Sequence, residues 1–146
     1  MSEIAYPQKL SLCIGSYIGQ STGIQWDNRK KQLLYGTTEY GPCLDMDVLS
    51  GFVPTELDWE RFWIDVRNIG VWYWKDRYEN NNVLDGSFWS LDIRYGDKQL
   101  TSKGTNAYPQ QGTNIPSEAF KQLLRAFGEL MSDKDFINTW YETPWY

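Results

Sequence analysis

The sequence predicts an α+β domain: an antiparallel sheet made from two strand-strand-strand-helix units, helices on one face, and a short C-terminal helix or tail. Three observations lead there. A chain of 146 residues suits one domain spanning 1–146. Apolar and polar residues alternate with a period of two in short runs through both halves. Two stretches, one central and one near the end, switch to the 3.6-residue period of an amphipathic helix.

Taken in order, Leu10, Leu12 and Ile14 alternate with Lys9, Ser11 and Cys13, the pattern of a half-buried strand continuing toward Ile18. Strands over 24–26 and 30–35 follow, with Asp27 and Asn28 as the turn between them. Residues 36–51 read as irregular. Pro54 and Thr55 then open a helix, Thr55 as cap and Asp58 as the returning acid. Trp59, Phe62, Trp63 and Val66 form its apolar stripe and Gly70 ends it.

The second half repeats that order. Residues 71–78 read as a strand, although Val71 and Tyr73 alternate with Trp72 and Trp74, so that both faces are apolar. Across 88–95 the split is clean: Trp89, Leu91, Ile93 and Tyr95 point one way, and Ser90, Asp92 and Arg94 the other. Gly96 and Asp97 turn the chain into a strand over 98–103, and 104–114 is a loop. Behind Pro116, Phe120, Leu123, Leu124, Phe127, Leu130 and Met131 mark a strongly amphipathic helix. Ser132 and Asp135 can cap a short last helix carrying Trp140. The similar outlines suggest a pseudo-repeat of 9–70 and 71–131.

Composition narrows the chemistry. No histidine is present, which removes Ser-His-Asp and Cys-His catalysis and imidazole metal ligation. No phosphate-binding glycine loop or calcium loop is found, and no cofactor or metal is expected. Asp45 with Asp47, or Asp92 with Glu79 or Asp85, could serve as a carboxylate pair for catalysis, and nothing singles them out. Cys13 and Cys43 are too far apart for a zinc knuckle or redox pair. Cys13, on a strand without a base, reads as a core thiol. A cytoplasmic protein would keep both thiols reduced, whereas a secreted one could bridge them. The cytoplasm is expected, since the N-terminus lacks a signal-peptide pattern and no apolar run is long enough to span a bilayer.

Charge points to a partner. The net charge is −5, and 45–65 contains Asp45, Asp47, Glu56, Asp58, Glu60 and Asp65 against Arg61 alone: six acids less one base equals the whole net charge. A solvated face is one reading and a steering patch for a basic protein is the other. The overall acidity disfavours nucleic acid. Aromatics make up 16% of the chain, with Trp 8. If 71–78 neighbours 88–95 in one sheet, Trp72 and Trp74 lie on its open face beside Arg94, as a platform for a partner, a sugar or a second copy, unless the tail around Trp140 and Trp145 covers them.

Asp85-Gly86, the run Trp89-Ser90-Leu91-Asp92-Ile93, and Gly104-Thr105-Asn106-Ala107-Tyr108-Pro109 ahead of an amphipathic helix resemble a pattern that recurs in small bacterial α+β proteins with no assigned activity. The likeness spans 85–120. It implies an α+β module and transfers no site. Gly104 and Asn106 are read there as residues that tolerate a left-handed backbone.

The sequence therefore points to a non-enzymatic protein-binding module of the inhibitor, immunity-protein or antagonist kind. Its expected contact residues are Asp45, Asp47, Asp58, Glu60, Asp65, Trp72, Trp74 and Arg94. A small-ligand or sugar-binding module using Trp72 and Trp74 is the second reading, and a carboxylate enzyme the third.

Overall fold

A computed structural model describes residues 6–16, 21–38, 50–80, 87–109 and 117–132. It is α+β, with one mixed sheet of seven strands and two helices. The elements are β1 (Lys9–Ser16), β2 (Ser21–Asp27), β3 (Gln32–Thr38), β4 (Ser50–Phe52), α1 (Glu56–Ile69), β5 (Arg77–Glu79), β6 (Ser87–Tyr95), β7 (Lys98–Thr105) and α2 (Glu118–Leu130). Their order across the sheet is β4-β3-β2-β1-β6-β7-β5.

Every pairing is antiparallel except that of β5 with β7. The register sets the faces. Leu12 sits opposite Ile24 on one side and Leu91 on the other, while Leu10 faces Ile93 and Ile14 faces Trp89. These residues lie on one face and are buried. The opposite face carries Lys9, Ser11, Cys13, Gln25, Ser90, Asp92 and Arg94, as the period-two reading of β6 requires.

Both helices lie on the apolar face. In α1, Thr55 Oγ1 accepts from the Asp58 backbone N–H at 3.1 Å and Asp58 Oδ2 accepts from the Thr55 N–H at 3.0 Å, so the capping box is complete. Gly70 ends the helix at φ 84°. Trp59, Phe62, Trp63 and Val66 are buried, as their spacing predicts, and so are all six residues of the α2 stripe. The aromatic load joins the layers. Phe62 meets Phe127 of α2 at 5.0 Å, Trp63 stacks on Tyr95 of β6 at 3.9 Å, and Trp89 meets Phe120 at 5.0 Å.

Five expectations differ from the structure. Residues 71–78 are not one strand: Val71–Tyr73 form a single 3-10 turn, and only Arg77–Glu79 pair in the sheet. With three residues per turn, Val71 and Trp74 share a side, and both are buried. A helical turn therefore produced the apparent strand with two apolar faces. Residues 36–51 are not wholly irregular, because β3 runs to Thr38 and β4 pairs with it. In chain order the second half runs β5, β6, β7 and α2, strand-strand-strand-helix, but the first half is a meander of four strands ahead of α1, and β5 runs parallel to β7 at the far edge.

The fourth concerns the end of β7. Asn106 does take a left-handed backbone, at φ 55°, but Gly104 does not. A side chain at Gly104 would collide with the Trp89 indole and the Ala107 carbonyl, which are joined by a hydrogen bond of 2.9 Å. Close approach, not backbone freedom, requires glycine there. Cys13 differs too, being half-buried on the polar face and disulfide-bonded instead of a core thiol. Cys43 and the short last helix with Trp140 and Trp145 lie outside the described residues.

Candidate functional site

The expected tryptophan platform does not assemble. Trp74 is 7% exposed and packs between Trp89 and Phe120 in the core. Trp72 is half-buried on the helix side of the sheet, parallel to Trp63 at 6.4 Å and with the Lys98 ammonium 5.8 Å from its ring centre. Arg94 is exposed on the opposite face. The physical reason is the 3-10 turn, which removes Trp72 and Trp74 from the sheet. A paired-tryptophan sugar site loses one of its two rings with it.

The acidic segment is divided as well. Asp45 and Asp47 lie outside the described residues. Asp58, Glu60 and Asp65 are all on α1, on two different flanks. Asp58 and Asp65 line the cleft between α1 and α2, together with Arg61 and Glu129. Toward its C-terminal end that cleft widens to about 410 Å³, bounded by Asp65, Asn68, Ile69, Gln122, Arg125, Ala126 and Glu129. Desolvation in the cleft raises the Asp65 pKa above its ordinary value, and the neighbouring Arg61 guanidinium opposes the shift. Glu60 projects from the other flank and is exposed to solvent.

Between the two flanks runs an apolar seam that the sequence reading missed. Leu57 is 54% exposed and Ile64 47%. They stand seven residues apart, about 20° short of two full turns, so both occupy the outward side of α1. Val53 is exposed just before the helix, and Tyr73, at 90%, just after it. The signal for the seam was the seven-residue spacing of Leu57-Asp58 and Ile64-Asp65 behind the buried stripe. It was hidden because the aromatic stripe accounts for the helix by itself.

Of the carboxylates considered for acid-base work, Asp45, Asp47 and Asp85 lie outside the described residues, and Asp92 and Glu79 stand apart, each beside a base. Asp92 forms an ion pair with Lys9 at 2.7 Å and accepts from Thr101 at 3.2 Å, while Glu79 faces Arg77 at 3.4 Å. Asp92 is in register with Thr101 and Glu79 with Thr105, four positions along β7, which is about 13 Å. Among the described residues no group of three or more acids and cysteines is placed to hold a metal ion. No described helix is long and apolar enough to cross a membrane. No family model matches the chain, and no curated protein matches its sequence.

Proposed function

We propose that the chain is a non-catalytic protein-binding module, of the inhibitor or antagonist kind, that docks a basic protein through the outward face of α1. The observation that carries this reading is the Leu57–Ile64 seam. Two large aliphatic side chains remain about half exposed on a helix whose other apolar residues are buried or, for Ile69, partly buried. Burying each one fully is worth roughly 1.5–3 kcal/mol, which a partner can recover. Val53 and Tyr73 extend the same apolar character past both ends of the helix.

Charge supports a basic partner. Glu56, Asp58, Glu60 and Asp65 against Arg61 and Arg67 give α1 four acids less two bases, a net charge of −2. Such a surface attracts a positive one and repels an acidic competitor. Trp72 and Trp74 have no part in this surface as a pair, one half-buried and the other buried. Arg94, on the far face of the sheet, stands outside the proposed contact.

Comparative capture tests the reading. The wild-type chain and a Leu57→Ser, Ile64→Ser double variant are immobilised, and proteins recovered from the native host are quantified by mass spectrometry. The expected result is a basic protein retained by wild type, lost with the double variant and released by salt. Equal recoveries from both would remove the seam from the function.

A further inference from the structure

Cys13 places a covalent bond at the middle of the sheet. β1 is the fourth of seven strands, and Cys13 projects from the face opposite both helices. It is disulfide-bonded, no cysteine is free among the described residues, and Cys43 is the chain's other cysteine. A bridge within the chain therefore joins these two.

Geometry allows that bridge. Cys13 is in register with Gly23, and Gly23 with Gly36, so the row from β1 to β3 contributes no side chain on this face. β3 lies two strand spacings from β1, roughly 10 Å. Cys43 is five residues beyond Thr38, where β3 ends, and seven before Ser50, where β4 begins. Extended chain covers roughly 3.3–3.6 Å per residue, so both stretches can reach β1 without displacing either strand.

The element that gains most from the bridge is β4. It has three residues, pairs with β3 over 33–35, and leaves Ser50 and Gly51 exposed. Phe52 is its one contact with the core, and is only partly buried. Without a bridge, this short pairing must close the whole connection 39–49; with residue 43 tied to β1, only 44–49 remain to be closed. The body of the fold has other supports. β1 is paired along its length with β2 and β6, and α1 and α2 pack together on the far face.

We infer that Cys13 and Cys43 form a redox latch. Oxidised, it keeps β4 on β3; reduced, it releases β4 and uncovers the β3 edge at 33–35, while the other strands and both helices stay folded. An uncovered edge is a template for another strand, so the reduced form carries a pairing surface that the oxidised form lacks. The reductant is a dithiol. One of its thiolates attacks a bridge sulfur, the S–S bond breaks, and the other chain sulfur leaves as a thiolate and takes a proton. The second thiol then displaces the remaining chain sulfur. Two electrons and two protons pass to the chain as the dithiol closes to its own disulfide. The latch goes beyond the α1 docking face and does not depend on it.

Hydrogen exchange on the full chain, read by mass spectrometry, tests the latch. Peptide mapping of the unreduced protein is expected to join Cys13 to Cys43. Dithiothreitol followed by alkylation is expected to speed exchange at 50–52 and 33–35 about tenfold or more, and to leave 89–93 and 120–124 unchanged. Cys43→Ser without reductant is expected to show the same pattern, with no further response to dithiothreitol. Two titratable thiols, or Cys13 joined to another molecule, would overturn the pairing and the latch with it. Unchanged exchange at 50–52 would show that β4 holds without the bridge. Loss of protection at 50–52, 89–93 and 120–124 together would show a staple of the whole fold. Either result overturns the latch.

Discussion

Three buried indoles separate packing from hydrogen bonding at the residue scale. Trp89 Nε1 donates to the Ala107 carbonyl at 2.9 Å, whereas Trp59 Nε1 and Trp74 Nε1 have no partner among the described residues. A buried donor left unmade costs about 1–3 kcal/mol. Trp59→Phe removes the unmet donor together with some volume; Trp89→Phe removes volume and orphans a carbonyl. Denaturant unfolding is therefore expected to show Trp89→Phe as the more destabilising by about 1–3 kcal/mol. Equal losses would mean that the Ala107 bond contributes nothing.

Tyr108 supplies a pH-dependent counterpart. Burial raises its pKa to about 12, against a smaller opposing effect of the 2.7 Å hydrogen bond with Ser87. A phenol whose folded pKa lies above its unfolded value of about 10 stabilises the fold fully below pH 10 and loses that contribution as pH rises toward 12. A shift of this size corresponds to roughly 2–3 kcal/mol. The stability difference between wild type and Tyr108→Phe is expected to change by about that much between pH 9 and pH 12, in the direction of wild-type loss. A constant difference would contradict a buried neutral phenol.

At the scale of elements, local signals and tertiary ones part company. Both helices and β6 were legible because local cap, period and stop signals agree, as Thr55, Asp58 and Gly70 show for α1. The turn Val71–Tyr73 was not, because its i, i+3 burial of Val71 and Trp74 mimics a strand with two apolar faces. Nor was β4, whose three residues become a strand only by pairing with β3. For the site, the acids of α1 were legible and the Leu57–Ile64 seam was not, since exposure depends on what the rest of the fold leaves uncovered.

Two glycines distinguish backbone from steric requirements. At Gly70 a Cβ meets open space, so Gly70→Ala costs only the left-handed conformation, about 1–2 kcal/mol. At Gly104 a Cβ would displace the Trp89 indole from Ala107. Thermal unfolding is expected to rank Gly104→Ala well below Gly70→Ala in stability; the reverse order would show that the Trp89 packing yields readily.

At the scale of the whole molecule, the proposed function is contact with a partner through the outward face of α1. Cys13 bears on where that contact takes place. Bonded in a disulfide, it should be unreactive to thiol reagents in denatured, unreduced protein taken from its host, and reduction should lower the unfolding temperature. Bridges persist in oxidising compartments, so two titratable thiols would instead support the cytoplasmic expectation. The binding face on α1 does not depend on the outcome.

Site-specific photocrosslinking reports most directly on whether that face is the working surface. A benzophenone side chain replacing Ile64 is compared with one replacing Gln99, which is exposed but far from α1 on β7. Illumination in the native host is expected to give a discrete adduct with a basic protein from position 64 and none from position 99. Adducts from position 99 alone, or identical patterns from both, would contradict the assignment of α1 as the docking element.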